Sequence, residues 1–146
     1  MRIETCTEAM LADWLALRLL LWPDEDAGRP EDGIRILRNP DAITFLARDG
    51  AGGAIGFAEA TLRRDYVNGC ATSPVGFLEG LYVREGWRRQ GVARALCRAV
   101  EAWTVARGAT ELASDTWLDS TESQRMHQAL GFSETERVVY FRKSLD

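Results

Sequence analysis

The sequence predicts an α+β domain with a mixed, centrally splayed β-sheet of six to seven strands, flanked by about four helices. Residues 42–48 and 54–63 are predicted strands separated by the glycine-rich turn at 49–53, which indicates a β-hairpin. An apolar strand at 75–83 leads through an arginine-rich turn into an amphipathic helix, and a further strand follows at 110–115. This strand–helix–strand unit requires parallel strands with a right-handed crossover, and its ligands bind beyond the carboxyl ends of the strands.

The remaining elements lie on either side of this central unit. Before the hairpin we expect a short edge strand at 2–6 and helices at 8–22 and 31–38. After it we expect a helix at 118–130 and one or two closing strands within 132–145, where apolar residues alternate. The chain therefore predicts the order βααββ, βαβ, αβ(β).

Length and composition are those of one globular domain over residues 1–146, with 46% hydrophobic and 27% charged residues. No apolar run approaches the roughly 20 residues of a membrane helix, and the start of the chain lacks the features of a signal peptide. Cys6, Cys70 and Cys97 fit neither a disulfide framework nor a zinc site, and we expect reduced thiols in a cytoplasmic protein without a bound metal. The net charge of −4 argues against nucleic acid as a partner, and we expect no membrane partner.

The turn before the central helix has the features of an anion site. Its pattern is Arg88-x-x-Gly91-x-Ala93, which is neither a Walker loop nor the Gly-x-Gly-x-x-Gly of dinucleotide-binding folds. Free backbone N–H groups at a helix N-terminus favour an anion, and glycine allows close approach to the backbone. Arg89 and Arg94 add positive charge. The alternative is a capped turn that binds nothing.

Two carboxylates near the predicted opening of the sheet are candidates for ligand binding or acid–base catalysis. Glu79 lies inside the most apolar strand, where a charge is costly unless it is paired, hydrated or used. Gly80 is the position at which a bulge would re-aim the strand and separate it from its parallel neighbour. Asp115 ends that neighbour, so both acids could bind ammonium groups and one could act as a general base. The alternatives are an ion pair between Glu79 and an arginine, and a capping role for Asp115.

Three other features have both a structural and a functional interpretation. Trp22, where the first helix breaks, is interpreted from the residues alone as a hydrophobic staple, with a pocket wall as the alternative. The acidic residues 24–26 are a solvated loop or a lip that attracts a cation. His127, the only histidine, is more often structural than catalytic in such a position.

The Arg88-x-x-Gly91-x-Ala93 turn between strand and helix matches the acyl-CoA pyrophosphate loop of the GNAT superfamily of N-acetyltransferases. The resemblance covers the whole chain and is narrower for the short, single-domain aminoglycoside 6'-N-acetyltransferases. The segments that carry it are Phe45–Asp49, Ile55–Glu59, Arg64–Gly69, Phe77–Gly80, Ala113–Asp115, Met126–Phe132 and Glu134–Phe141.

The resemblance implies a GNAT fold, acetyl-CoA as co-substrate, a homodimer and a role in antibiotic resistance. The residues that it places in the aminoglycoside pocket are Trp22, Tyr66, Glu79, Asp115 and Glu136. Those that it places against acetyl-CoA are Leu81, Tyr82, Val83, Arg88, Arg89, Gln90, Gly91, Val92, Ala93, Arg94 and Ser120. Ser120 stands where the family typically has asparagine, and His127 where many members have a tyrosine proposed as general acid.

The implied reaction is direct acetyl transfer to the 6'-amine of an aminoglycoside in a ternary complex. Glu79 would accept the ammonium proton, while Asp115 and Glu136 orient neighbouring groups. Backbone N–H groups near Leu81 and Tyr82 would stabilise the developing oxyanion. The alternatives are a GNAT enzyme for another amine, such as a polyamine or a peptide, and a non-catalytic acyl-CoA-binding module.

Overall fold

The computed structural model describes residues 1–146, apart from the side chain of Glu25. Five strands form one mixed sheet in the order β1-β2-β3-β4-β5. They are β1 (Arg2–Thr5), β2 (Ala42–Arg48), β3 (Ala54–Arg63), β4 (Val75–Val83) and β5 (Leu112–Ser114). The first four strands are antiparallel to their neighbours, and β5 pairs parallel to β4, which confirms the predicted βαβ unit.

The α-helices lie where the sequence predicted them. They are α1 (Leu11–Leu21), α2 (Pro30–Arg38), α3 (Val92–Ala106) and α4 (Thr121–Ala129). Short 3-10 turns cover Glu8–Met10, Glu25–Gly28 and Glu85–Trp87. Among the described residues, no helix is both long and apolar enough to cross a membrane.

The predicted α+β fold class is confirmed, but the count of six to seven strands is wrong. Residues 133–146, which we call the C-terminal arm, contain no strand, and Tyr140 and Phe141 are 81% and 91% exposed. Alternating apolar residues form a strand only where another strand offers hydrogen bonds and an apolar surface offers burial. Within the described chain, no strand pairs with this arm.

The sheet is buried on both faces. One core lies between the sheet and α3, where Leu96 and Val100 are fully buried with Ala58. The other lies beneath α1 and α2 and contains Trp14 and Phe57, both fully buried. The two cores pack against the sheet from opposite sides.

A β-bulge at Glu79 re-aims β4, as the sequence predicted. Glu59 opposes Gly80 in the ladder and Ala60 opposes Leu78, which leaves Glu79 as the extra residue. Beyond the bulge, Leu81 packs into the α3 core, whereas Gly80 lies against α1. The parallel pairing of β4 with β5 ends at Leu78, so the sheet splits from this point onwards.

Candidate active site

The split leaves one edge of β4 without a neighbouring strand. Arg84 N–H donates to Ile55 O over 2.8 Å, just beyond the last registered pair of β3 and β4. Since hydrogen-bonded positions alternate along an antiparallel pair, the backbone groups of Tyr82 face β3. Those of Leu81 and Val83 then point away from β3, towards the side that β5 leaves open. An extended ligand chain could therefore pair with the backbone of Leu81 and Val83.

The turn after β4 brings free amides and open space together at the start of α3. Gly91 precedes the helix with φ 82°, and Arg89 also has a positive φ of 61°. A Cβ built on Gly91 meets no described heavy atom within 4 Å. Arg88 Nε donates to Val83 O over 2.9 Å and so holds the turn against the end of β4. This geometry suits an anion bound to the first amides of α3.

The other side chains of this turn also have contacts within the chain. Arg94 Nη2 donates to Ala129 O over 3.0 Å and links α3 to the end of α4. Gln90 Nε2 donates to Gly86 O over 3.4 Å. Arg94 thus has a structural role in addition to its positive charge.

The predicted acetyl-CoA contacts also include Val92, Ala93 and Ser120. The Val92 side chain is buried in the α3 core, which leaves its backbone amide as its polar group at the turn. Ala93 is half-buried. Ser120 precedes α4 without a side-chain capping bond to that helix, so its hydroxyl can bond elsewhere.

Glu79 projects to the α1 side of the split and is paired. Its Oε2 lies 2.9 Å from Arg63 Nη2, and Thr61 Oγ1 donates to Oε1 over 3.3 Å. The ion pair between Glu79 and an arginine, which the sequence analysis gave as an alternative, is therefore present. Arg63 is 44% exposed and Glu79 26%, and partly exposed pairs of this kind contribute less than about 1 kcal/mol. A cationic ligand can therefore compete with Arg63 for this carboxylate.

A cavity of about 380 Å³ opens beside Glu79. Its lining consists of Arg18, Trp22, Ile36, Glu59, Ala60, Thr61 and Glu79. The Trp22 ring packs edge-on against Phe57, with centroids 6.1 Å apart. Trp22 thus forms a wall of the cavity. It also ends α1, where its backbone N–H donates to Arg18 O.

The structure brings Trp22 and Glu79 together, but not the other three predicted substrate residues. Asp115 is exposed. Leu78 and Ser114 form the last parallel pair of β4 and β5, and Glu79 and Asp115 are the residues that follow them, so Asp115 lies across the split from Glu79. Tyr66 is 76% exposed and Glu136 lies in the exposed C-terminal arm. None of these three lines the cavity at Glu79.

His127 connects α4 to β5 at the split. Its Nδ1 lies 2.7 Å from Ser123 O, a pure acceptor, so Nδ1 carries a proton. Its Nε2 lies 2.7 Å from Ser114 Oγ, which is also 3.2 Å from Leu78 O. The ring also packs edge-on against Phe132. These contacts give His127 a structural role between helix and strand.

Sequence reasoning missed a buried ion pair beneath the cavity. Arg18 and Glu59 form it, and their side chains are 13% and 7% exposed. Burial raises the pKa of the Glu59 carboxyl, and the Arg18 guanidinium and the Trp14 indole N–H oppose that rise. The signal was available, since Glu59 lies between Ala58 and Ala60 in an apolar strand. Among the described side chains, no cluster of three or more His, Cys, Asp or Glu could hold a metal ion.

Gly80→Ala is expected to displace the Trp22 wall and to raise KM for any substrate that occupies the cavity beside Glu79. A Cβ on Gly80 would lie 2.4 Å and 2.7 Å from two atoms of the Trp22 ring, so the ring must move. Steady-state kinetics measures the effect, for which we expect at least about a tenfold rise in KM. Gly50→Ala, where a Cβ meets no described atom within 4 Å, is the control. Equal KM values for the two variants would contradict the assignment of Trp22 as a wall.

Residues 7–132 match the family model described as the acetyltransferase (GNAT) family. The chain belongs to this family. The match confirms the family that the loop at Arg88, Gly91 and Ala93 resembles.

Curated relatives resemble the acetyltransferase over its whole length. An "aminoglycoside N(6')-acetyltransferase type 1" of Acinetobacter genomosp. 13 is 49% identical over 145 residues, covering 99% of each chain. A protein of the same name from Serratia marcescens is 50% identical, covering 98% of this chain and 99% of its own.

Solved structures show the same similarity in three dimensions. Aminoglycoside antibiotic 6'-N-acetyltransferase AAC(6')-Ih from Acinetobacter baumannii has a TM-score of 0.95 at 46% identity, covering 99% of both chains. AAC(6')-Iy in complex with the bisubstrate analog CoA-S-monomethyl-acetylneamine has a TM-score of 0.93 at 46% identity, covering 99% of this chain and 98% of that one.

Proposed function

We propose that this acetyltransferase transfers an acetyl group from acetyl-CoA to the 6'-amine of aminoglycoside antibiotics. The observation that carries the proposal is the position of Glu79, at a β-bulge between an aromatic wall and the open edge of β4. The names and full-length similarity of the curated relatives support the choice of substrate.

The residues at the split fit acetyl-CoA, which supplies the activated acetyl group. The diphosphate would lie over Gly91 against the first amides of α3, with Arg88 and Arg89 beside it. The pantetheine arm would pair with the backbone of Leu81 and Val83, as an added strand does. We propose the other predicted contacts on the same grounds: Tyr82, Gln90, Val92, Ala93, Arg94 and Ser120.

On the acceptor side, this chain must remove a proton before the amine can attack. An unperturbed primary ammonium has a pKa near ~10, so it is charged at neutral pH. Glu79 would accept the proton, directly or through water, once the ammonium has replaced Arg63 as its partner. Trp22 would hold a sugar ring, and Asp115 and Glu136 would bind further ammonium or hydroxyl groups together with Tyr66.

An assay of thiol release from acetyl-CoA in the presence of kanamycin or tobramycin tests the proposal. We expect turnover and a product heavier by one acetyl group, placed on the 6'-amine by NMR. Turnover with a polyamine or a peptide alone would identify a different acetyltransferase. Binding of CoA without thiol release for any amine would identify an acyl-CoA-binding module.

We further propose that the protein is a homodimer in which a second copy covers the C-terminal arm. The arm begins against the chain's own loop, since a Cβ on Gly69 would lie 2.3 Å from Thr135 Oγ1. Beyond that point Val139, Tyr140 and Phe141 are at least 77% exposed. Apolar side chains in an extended segment gain most by adding to another sheet or core. A second copy offers the same surfaces on both sides of a twofold axis.

Phe141→Asp is expected to convert this dimer largely to a monomer, because it places a charge within the apolar contact. Light scattering after size exclusion measures the mass. Val105→Asp is the matched control, since Val105 is also apolar and 70% exposed, but on α3. A monomeric wild-type protein, or equal effects of both changes, would contradict the proposal.

We also propose a cytoplasmic location, without nucleic acid or membrane as partner. The free thiols of Cys6 and Cys97 support a reducing compartment. Burial raises the pKa of Cys6 to about 12 and that of Cys97 to about 11, so both thiols are protonated and inert at neutral pH.

A further inference from the structure

Arg18 joins three parts of the chain that surround the cavity. Its Nη1 pairs with the Glu59 carboxylate on β3, and its Nε donates to Ala27 O over 2.9 Å. Its guanidinium carbon lies 5.0 Å from the centre of the Trp22 ring and 5.3 Å from that of Trp14. The guanidinium therefore lies over two indole rings while its Nε and Nη1 atoms are hydrogen-bonded.

These contacts fix the Trp22 wall from more than one direction. The ring lies against the backbone at Gly80, where a Cβ would not fit, and its edge meets Phe57. Arg18 contacts the ring, so losing the guanidinium would leave the ring free to tilt into the cavity. The bond to Ala27 fixes the segment after α1, which includes the acidic residues at 24 and 26 beside the neighbouring cleft.

The charges in this region have a definite order. Arg18 is a buried cation, and Glu59 is the carboxylate paired with it, held also by the Trp14 indole, whose Nε1 lies 2.9 Å from Glu59 Oε1. Both line the cavity together with Glu79. With the pair intact, the floor of the cavity carries no net charge. It therefore does not weaken the attraction of the Glu79 carboxylate for an ammonium group. Without Glu59, the floor would repel an ammonium group.

We propose that Arg18 and Glu59 form a neutral positioning pair for the acceptor substrate. Arg18 holds Trp22 and the segment at Ala27 in place, and Glu59 cancels its charge so that a polycation can enter. This inference rests on the proposed function and adds two residues that determine specificity without contacting the reacting atoms.

Glu59→Gln separates charge from shape. Glutamine keeps an acceptor oxygen for Trp14 and Arg18 but leaves the Arg18 charge uncompensated. We expect KM for kanamycin to rise by about tenfold or more, because a like charge near the binding site is costly at low dielectric. The rise should be larger for tobramycin, which carries an additional amino group. KM for acetyl-CoA should not change, since the diphosphate site lies on the other side of the split.

The double variant Arg18→Met/Glu59→Gln is the matched control for charge. A buried ion pair replaced by uncharged residues of similar size often leaves a protein folded. We expect KM for both aminoglycosides to stay above the wild-type value, because the wall is no longer held. The ratio of the two KM values should return to that of the wild type, because no unpaired charge remains.

Calorimetric titration of tobramycin into the CoA complex, alongside turnover, keeps the two proposals distinct. A wild-type protein that binds tobramycin without acetylating it would refute the proposed function, and the affinities of the variants would still test the pair. Equal losses for kanamycin, tobramycin and acetyl-CoA in Glu59→Gln would mean a merely structural role and overturn the inference. If Glu59→Gln does not fold, the double variant provides the test. Wild-type affinity of the double variant for both aminoglycosides would overturn the inference.

Discussion

Glu79→Gln is expected to lower kcat for aminoglycoside acetylation by about 100-fold or more, the usual contribution of a positioned general base. Glutamine keeps the shape of the side chain at the bulge and can still accept from Thr61, but it cannot take a proton. The Kd for acetyl-CoA should stay within about twofold, because we place the diphosphate and pantetheine contacts at the α3 turn and the β4 edge, away from the Glu79 carboxylate. Single-turnover kinetics and calorimetry measure the two quantities separately.

Glu8→Gln is the control for this substitution. Glu8 is also a carboxylate paired with an arginine, Arg38, and its side chain is 50% exposed, but it lies in the 3-10 turn before α1. It should leave both kcat and the Kd unchanged. If Glu79→Gln weakened acetyl-CoA binding as much as it lowered kcat, Glu79 would be a structural residue of the split and not the base.

The parts of the fold that local patterns determine were predicted from the sequence almost residue by residue. The strands at 42–48 and 54–63 have the predicted bounds, because two apolar runs joined by a glycine-rich turn specify a hairpin without reference to the rest of the chain. The helix from Val92 is specified in the same way, by its apolar face and by Gly91 and Gly108 at its ends.

The bulge is a more demanding case, and the sequence still indicated it. A strict period of two would put Glu79 and Leu81 on the same face, which would either bury the charge or expose the leucine. Gly80 was the position at which the sequence suggested that the strand could change phase. The observed register places the extra residue next to it, at Glu79, so the physical conflict in the pattern was the useful signal.

Contacts between distant residues could not be predicted in this way. Glu79 pairs with Arg63 and Glu59 with Arg18, and no local pattern selects these partners among the 18 basic residues of the chain. The prediction of strands in the C-terminal arm was wrong for a related reason. Apolar residues do alternate there, but a strand also needs a neighbouring strand, and none pairs with the arm within the described chain.

Gly91→Val is expected to raise the Kd for acetyl-CoA by about 30-fold or more, equivalent to about 2 kcal/mol, the loss of one or two charge-assisted hydrogen bonds. The substituted side chain would occupy the open space over the first amides of α3, where we place the diphosphate. Valine at φ 82° is also strained, so the free energy of unfolding should fall by about 1–3 kcal/mol.

Gly108→Val separates the strain from the loss of the binding site. Gly108 follows the same helix with φ 86°, and a Cβ on it likewise meets no described atom within 4 Å. The two variants should therefore lose similar stability in urea titrations, but only Gly91→Val should lose affinity for acetyl-CoA. Carbonyl groups end the helix at Gly108, whereas amides begin it at Gly91, and only the amides can bind a diphosphate. Similar losses of affinity in both variants would mean that acetyl-CoA depends on the stability of α3 and not on its N-terminus.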